Sequence, residues 1–270
     1  MNEDNNDIRI QGLLIDLDGV LYLNHELVPG AIDAISEIRT AGVPFRFVTN
    51  TTRMNPASIS GHMENLGFEA SIDEIISPPV AAAAFMEKND LQSYHLLASP
   101  DLADAFSSFQ AQDEGADAVI IGDLGEVFTF DRLNTAFRII MDGAQILALH
   151  KDRFWQTESG PRLDTGPFVS ALEFASGKQA IVVGKPEKAF FDIALQNLQI
   201  EAPNVAMVGD SIETDIGGAM ESRLQGILVR TGNYQFHDES ESQVSPDFII
   251  DSIADLPALL RSPLSPQQER

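Results

Sequence analysis

The sequence predicts an α/β protein with a doubly wound parallel sheet, into which a second α/β domain is inserted. Short apolar runs alternate with segments of helical periodicity along most of the 270-residue chain, which is typical of parallel sheets. The alternation pauses at Ser77-Pro78-Pro79 and then begins again, which indicates a domain boundary. We therefore predict a core formed by residues 8–77 and 180–262, with residues 78–179 as the inserted domain.

The elements before this boundary follow from local patterns. Leu13–Ile15 is an apolar run of the kind that a fully buried parallel strand shows, and Leu21–Val28 is expected to form a flap or hairpin. Pro29-Gly30 opens a helix in which isoleucines recur at helical spacing, and this helix is expected to stop at Ala41-Gly42. The other elements predicted here are a strand from Phe45, a helix from Pro56 to Gly67 and a strand at Glu74–Ile76.

The inserted domain and the returning core show the same alternation. In the insertion we expect helices at Val80–Glu87, Asp101–Phe109, Asp131–Met141 and Pro167–Ala175, strands at Tyr94–Ala98, Ala118–Ile121 and Ile146–Leu149, and a polar loop over Lys151–Thr165. After the linker Ser176–Lys178, core strands are predicted to start at Ile181, Val205, Gly226 and Phe248. Residues 1–7 and the tail from Ser262 are expected to be loosely held.

Composition excludes several classes of function. Lys and Arg number 17 against 41 Asp and Glu, giving a formal charge of -24, so neither nucleic acid nor an anionic membrane is an expected partner. The chain has no cysteine, which excludes disulfides, thiolate catalysis and cysteine-bound metals. The first residues resemble neither a signal peptide nor a transit peptide, and no run has the length of a membrane helix. The expected location is the cytoplasm.

Four apolar runs end on polar side chains suited to binding a phosphate and a divalent cation. The residues at these ends are Asp16 and Asp18 with Gly19, then Thr49-Asn50, then Lys185, and finally Asp210 with Asp215. Taken singly, each is more often a turn, capping or surface residue. Open α/β sheets, however, bind ligands at the carboxyl ends of their strands, so four such ends together favour a functional site.

These motifs, in this order, resemble those of the haloacid dehalogenase (HAD) superfamily. The motifs are Asp16-Leu17-Asp18-Gly19-Val20, Thr49-Asn50, Gly184-Lys185-Pro186, and Gly209-Asp210 with Asp215. Pro29-Gly30-Ala31, Asp142-Gly143-Ala144 and Gly166-Pro167-Phe168 narrow the resemblance to class IIA, NagD-type phosphatases, and to the branch that contains phospholysine phosphohistidine inorganic pyrophosphate phosphatase. The resemblance runs from about Ile10 to about Gly232. It implies a Rossmann-like HAD core with an α/β cap.

The resemblance also implies a role for each matching residue. Asp16 would be the nucleophile that forms an aspartyl phosphate and a ligand of Mg²⁺. Asp18 would be the general acid and base, and its backbone carbonyl a further metal ligand. Its presence counts against dehalogenation, because dehalogenases of the superfamily generally lack this second aspartate.

The remaining motif residues would bind the phosphoryl group and the metal. Thr49, with the amide of Asn50, would bind a phosphoryl oxygen, and Lys185 would stabilise the transferring group. Asp210 would bind Mg²⁺, while Asp215 would orient a metal-bound water or support Lys185. The implied activity is hydrolysis of a small phosphorylated metabolite, with the cap controlling specificity.

The sequence leaves open the substrate, an alternative function and the oligomeric state. The substrate is expected to be a phosphomonoester, pyrophosphate or a phosphoramidate. A slow phosphoacceptor or phosphate-sensing module, like a receiver domain, would use a similar acid cluster, although it needs neither Asp18 nor a cap. The family resemblance implies a homodimer or higher homo-oligomer formed through the cap. Gly122-Asp123 with Glu126, and Trp155, are weaker candidates for substrate contact, and the five histidines show no metal-ligand spacing.

Overall fold

The computed structural model describes residues 10–23, 26–157, 160–236 and 242–262, apart from the side chains of 155–157. Residues 1–7 and the tail after Ser262, predicted to be loose, lie outside this range. Contacts divide the chain into two compact units. The first contains the described residues up to Thr49, Ser60–Ile76 and those from Ala194 onward, and the second contains Asn50–Ile59 and Ser77–Ile193.

The first unit is built on a six-stranded parallel sheet, as the sequence predicts. Its strands are β1 (Gly12–Asp16), β4 (Phe45–Val48), β5 (Ile75–Ile76), β13 (Val205–Gly209), β14 (Gln225–Val229) and β15 (Phe248–Ile250), in the order β15-β14-β13-β1-β4-β5. The predicted hairpin is β2 (Tyr22–Leu23) paired with β3 (Glu26–Leu27). Helices lie at α1 (Ala31–Thr40), α2 (Pro56–Asn65, mostly in this unit), α7 (Gly218–Glu221) and Leu256–Arg261.

Strand β1 lies inside this sheet because its sequence is apolar on both faces. Every residue of Gly12–Asp16 is buried, and β13 and β4 pair with it on either side. A strand covered on both faces buries all its side chains, unlike the alternating strand of a half-exposed sheet. The only acid of the strand is Asp16, at its carboxyl end. The fold therefore places this carboxylate at the edge of the sheet where ligands bind.

The second unit has its own five-stranded parallel sheet. Its strands are β6 (Ser93–Leu97), β7 (Gln110–Ala111), β8 (Ala118–Ile121), β9 (Gln145–Ala148) and β12 (Ile181–Val182), in the order β12-β9-β8-β6-β7. The helices are α3 (Pro78–Lys88), α4 (Phe130–Met141), α5 (Thr165–Ser176) and α6 (Lys188–Leu198), whose last turns belong to the first unit. The sheet and helices α4 and α5 enclose an apolar cluster, so the inserted sequence does bury a core of its own.

Two local expectations for this unit are wrong. The segment 151–165 is not a plain loop, because it contains an antiparallel hairpin, β10 (Phe154–Thr157) with β11 (Gly160–Leu163). The helix expected over Asp101–Phe109 is a 3₁₀ helix at Pro100–Phe106. The next residues pair as β7 with β6, which ends the helix before Phe109.

The predicted domain boundaries stay a prediction, and the two compact units differ from them at Asn50–Ile59, which contacts group with the second unit, and on the return path. The predicted second core segment begins at residue 180, whereas contacts group residues 180–193 with the second unit. The reason is that β12 pairs with β9, and the N–H of Val183 donates to the carbonyl of Ala148 at 2.9 Å. Among the helices in the described residues, none has the length and apolar character needed to span a bilayer.

Candidate active site

Three carboxylates meet at the carboxyl edge of the first sheet. Asp16 ends β1, Asp210 directly follows β13, and Asp215 lies five residues further along the chain. One oxygen from each carboxylate lies within 4.8 Å of the others. All three residues are buried, with exposed fractions of 7% for Asp16, 2% for Asp210 and 1% for Asp215. The structure thus brings together three of the predicted site residues.

The local sequence explains how Asp215 reaches this group. Strands β1 and β13 are parallel neighbours, with Ile15 opposite Val208, so Asp16 and Asp210 are placed close to each other. The chain then forms one wide π-helical turn, Ile212–Gly217, capped by the hydroxyl of Ser211. This turn brings Asp215 back to the strand end, where its Oδ2 accepts a hydrogen bond of 3.2 Å from the Ser211 N–H. Single π-helical turns are frequent at functional sites.

Three glycines allow the carboxylates to approach the backbone closely. A Cβ atom at Gly19 or Gly232 would overlap the carboxylate of Asp210, and one at Gly209 would overlap Asp215. Gly19 and Gly232 also have positive φ values, 87° and 64°, which disfavour any other residue. Without side chains at these positions, the backbone packs directly against the buried acids.

Thr231-Gly232-Asn233 is a part of the site that sequence reasoning missed. The N–H of Asn233 donates to Asp210 Oδ2 at 2.6 Å, and the hydroxyl of Thr231 donates to the carbonyl of Gly19 at 2.5 Å. This segment follows β14, the next strand of the sheet. The sequence could have indicated this segment, because it is polar, contains a glycine and follows a fifth apolar run. Its contacts with Asp210 and Gly19, however, depend on the pairing of β14 with β13.

The group of three carboxylates is suited to a divalent cation. Three acids confined within 4.8 Å of one another repel each other by about 3 kcal/mol or more per pair at an effective dielectric constant near 20. Carboxylate oxygens are the ligands that Mg²⁺ and similar hard cations prefer. The buried donors, the glycines that admit them and the all-oxygen chemistry therefore fit a divalent metal. Asp215, expected to orient a metal-bound water or to support Lys185, is also close enough to Asp16 and Asp210 to be a ligand.

Asp18 occupies a different environment from Asp16. It lies two residues beyond β1, is exposed, and forms an isolated bridge with Tyr22. The phenol of the buried Tyr22 has a pKa well above its ordinary value. Burial of the ring is the largest cause, and the negative charges of the nearby Asp18 and Asp16 add to it. An exposed acid beside a buried one allows the two carboxylates to serve different chemical steps.

Thr49 is placed by strand β4. Val48 lies opposite Asp16 in the parallel ladder, so Thr49 is the first residue beyond that pair. Its N–H donates to the carbonyl of Ile76 at 3.1 Å, and only 6% of the residue is exposed. The predicted hydroxyl therefore lies at the same edge of the sheet as Asp16.

Lys185 and Asn50 are held together within the second unit. The Lys185 N–H donates to Asn50 Oδ1 at 2.8 Å, and Asn50 Nδ2 donates to the Lys185 carbonyl at 3.0 Å. A Cβ atom at Gly184 would lie too close to Asn50 Oδ1 and to the carbonyl of Leu149, which explains the glycine before Lys185. Lys185 is 4% exposed. Asn50 follows Thr49 directly, so these contacts connect two of the predicted motifs.

Two of the weaker candidates, Asp123 and Glu126, border a cavity in the second unit. Arg53 Nε donates to Asp123 Oδ2 at 2.6 Å. Burial opposes ionisation of Asp123, but hydrogen bonds from Arg53 and from the Gly125 N–H outweigh it, so the pKa of this carboxyl lies below its usual range. With Glu126 and Arg162 these residues line a cavity of about 510 Å³. Trp155 belongs to strand β10, and its side chain lies outside the described part of the chain.

The comparisons with known proteins agree with this geometry. A family described as haloacid dehalogenase-like hydrolase matches residues 13–112, and one described as HAD-hydrolase-like matches residues 182–256. The human haloacid dehalogenase-like hydrolase domain-containing protein 2 is 38% identical over 243 residues, covering 90% of this chain and 93% of the relative. The chain therefore belongs to the HAD-like hydrolases.

Further comparisons show which HAD-like hydrolases this chain resembles. Human phospholysine phosphohistidine inorganic pyrophosphate phosphatase is 34% identical over 257 residues, covering 93% of this chain and 94% of the relative. The crystal structure of a 4-nitrophenylphosphatase from Thermotoga maritima has a TM-score of 0.85 at 25% identity and covers 93% of this chain and 98% of its own. NagD from Escherichia coli has the same fold, with a TM-score of 0.82 at 24% identity over 92% and 98% of the two chains. The protein is an HAD-type phosphatase and shares the fold of NagD.

The three buried carboxylates lead to a prediction about metal dependence. We expect Asp210→Asn to raise the metal concentration for half-maximal activity by about 10-fold or more, because it removes one charged ligand while keeping an oxygen that can accept from the Asn233 N–H. The measurement is a titration of phosphate release against MgCl₂. Asp33→Asn, at an exposed position of α1, is the control and should titrate like the parent. An unchanged titration for Asp210→Asn would exclude it as a ligand.

Proposed function

We propose that this phosphatase hydrolyses small phosphorylated metabolites with Mg²⁺, through an aspartyl phosphate formed on Asp16. The observation that carries the proposal is the pairing of buried Asp16, grouped with Asp210 and Asp215, with exposed Asp18 two residues later. One acid is held where a metal can neutralise it, and the other is free to exchange protons with a leaving group. On that basis we expect Asp16 to act as the nucleophile and Asp18 as the general acid and base.

In the first half-reaction, an oxygen of Asp16 attacks phosphorus and the bond to the leaving group breaks. Asp16, the Asp18 carbonyl and Asp210 would hold Mg²⁺, which would supply charge neutralisation for the phosphoryl group. Asp18 donates its proton to the departing atom. Thr49, the Asn50 amide and Lys185 stabilise the negative charge of the phosphoryl oxygens.

In the second half-reaction, water attacks the phosphorus of the aspartyl phosphate. The ionised Asp18 accepts a proton from that water, the bond between Asp16 and phosphorus breaks, and inorganic phosphate leaves with the enzyme restored. One acid thus donates in the first step and accepts in the second. Asp215 holds the chain at Ser211 and orients the metal site from its buried position.

The relatives suggest which substrates to test. One relative is named for phospholysine, phosphohistidine and inorganic pyrophosphate, and a structural neighbour for 4-nitrophenyl phosphate. Similar folds support different substrates, so these names guide the choice of panel but do not determine the substrate. A phosphomonoester, pyrophosphate or phosphoramidate of small size is the proposed class.

The proposal predicts metal-dependent phosphate release from at least one member of a panel of phosphomonoesters, phosphoramidates and pyrophosphate. Release is measured with MgCl₂ and again with EDTA, using Asp16→Asn as the blank and Asp33→Asn as the matched control. Activity that disappears with EDTA and in the blank, but persists in the control, would support the phosphatase mechanism. Stable phosphate trapped on Asp16 without release would instead support a slow phosphoacceptor.

A further inference from the structure

The turn that follows Asp18 is held by hydrogen bonds at Gly19. The N–H of Gly19 donates to the carbonyl of Tyr22 at 2.7 Å, and the carbonyl of Gly19 accepts from the Thr231 hydroxyl at 2.5 Å. Glycine has more backbone freedom than any other residue, and Gly19 has a φ of 87°. Because the peptide groups on both of its sides are hydrogen-bonded, that freedom is restricted and the turn takes a defined conformation.

The backbones of Asp16 and Asp18 are held in different ways. Asp16 is the last residue of β1 and lies opposite Val48 in the ladder with β4, so sheet pairing fixes its position. Asp18 lies beyond the strand, where the N–H of Leu21 closes the turn by donating to the carbonyl of Leu17 at 2.9 Å. The direction of the Asp18 carboxylate therefore depends on the conformation of this turn.

Thr231 reaches the turn from a segment whose own backbone is held on both sides. Strand β14 pairs with β13 and β15, and the N–H of Arg230 donates to the carbonyl of Ile250 at 3.1 Å. After Thr231, the N–H of Tyr234 donates back to the Thr231 carbonyl at 3.2 Å. The sheet and this second turn thus fix the place from which the hydroxyl donates.

The two turns also pack against each other through glycine backbones. A Cβ atom at Gly232 would lie 2.5 Å from the Cα atom of Gly19, so no side chain separates them. Gly19 is buried. Loss of the Thr231 hydroxyl would remove a buried hydrogen bond from the Gly19 carbonyl, which favours rearrangement of the turn.

We propose that Thr231 is a positioning residue for the Asp18 carboxylate. Its hydroxyl fixes the peptide group between Gly19 and Val20, and the resulting turn directs Asp18 toward the departing atom of the substrate. The inference rests on the proposed role of Asp18 as general acid and base. Thr231 acts through Asp18, and a displacement of about 1 Å in such a group can lower a rate by about 10²-fold.

The kinetic test is Thr231→Val, which removes the hydroxyl and keeps the shape of the side chain. With saturating MgCl₂, we expect kcat to fall by about 10–100-fold on an alkyl phosphate and by less on 4-nitrophenyl phosphate, with KM changed by less than about threefold. Thr231→Ser keeps the hydroxyl and should restore kcat. Thr40→Val removes a hydroxyl that donates to the Ser36 carbonyl at 2.8 Å in α1, and it should leave kcat unchanged.

A double variant tests whether the hydroxyl acts through Asp18. In Asp18→Asn protein, adding Thr231→Val should lower the remaining kcat on the alkyl phosphate by less than about twofold, because residues that act as a unit have non-additive effects. Losses that multiply would overturn the proposal. So would a Thr231→Val protein whose kcat on the alkyl phosphate equals that of the parent.

Amide hydrogen exchange, followed by NMR, tests the positioning without using activity. The N–H groups of Gly19 and Leu21 should exchange about 10-fold faster in folded Thr231→Val than in the parent, because the turn opens more often, whereas Thr40→Val should match the parent. Thr231→Ala gives the same decision if Thr231→Val does not fold. Unchanged exchange would overturn the proposal. Faster exchange in a protein whose parent releases no phosphate would instead refute the proposed function and keep the role of Thr231 in the turn.

Discussion

Replacing Asp16 by asparagine is expected to lower kcat by about 10⁴-fold or more while leaving the protein folded. The amide cannot attack phosphorus, so the covalent route is lost, and the effect of removing a nucleophile is typically of this size or larger. The side chain keeps its shape at the end of β1. Removing one of three mutually repelling acids should also leave the metal-free protein at least as stable as the parent.

The measurement pairs steady-state phosphate release with thermal unfolding in EDTA. Asp33→Asn removes an acid from an exposed site and controls for the change in net charge. Loss of activity with an unchanged or higher Tm would assign the loss to chemistry. Activity within a few-fold of the parent would contradict the role of Asp16 as nucleophile.

Replacing Asp18 by asparagine is expected to lower kcat by about 10²–10⁴-fold on alkyl phosphates and by less on aryl phosphates. A poor leaving group must receive a proton as its bond to phosphorus breaks, whereas 4-nitrophenolate departs without one. Asp18 is exposed, so the substitution should have little effect on packing. The role of Asp18 as proton donor is therefore tested by the loss of kcat on alkyl phosphates divided by the loss of kcat on aryl phosphates.

The ratio is measured by comparing kcat for an alkyl phosphate and 4-nitrophenyl phosphate in the parent and in Asp18→Asn. If dephosphorylation of Asp16 limits the aryl reaction, a burst of 4-nitrophenolate will precede the steady state, because Asp18 also serves that second step. Equal losses on both substrates without a burst would count against the assignment of Asp18 as proton donor.

The sequence predicted the elements whose patterns are local. The apolar run ending at Asp16 predicted a buried strand, and the acids following it and following Val205–Gly209 meet because those strands pair in parallel. The inserted domain was recognisable because its own alternation of strands and helices restarted after Ser77. These inferences require periodicity and chain direction but no knowledge of long-range contacts.

Features that depend on long-range pairing could not be predicted. The hairpin of Phe154–Thr157 with Gly160–Leu163 was expected to be part of a loop because most residues of Lys151–Thr165 are polar. Nothing in Ile181–Val182 shows which sheet it joins, and it pairs with β9. The contact of Asn233 with Asp210 requires two strands to be neighbours.

The glycines beside the carboxylates make the proposed catalytic centre sensitive to added atoms as well as to lost charges. At Gly19, Gly209 and Gly232, a single methyl group would occupy space already taken by Asp210 or Asp215. Alanine, usually the mildest of replacements, is therefore among the harshest at these three positions. Substitutions at these positions are limited by the lack of space around the acids. A natural variant of this enzyme can therefore be inactive although every catalytic side chain is still encoded.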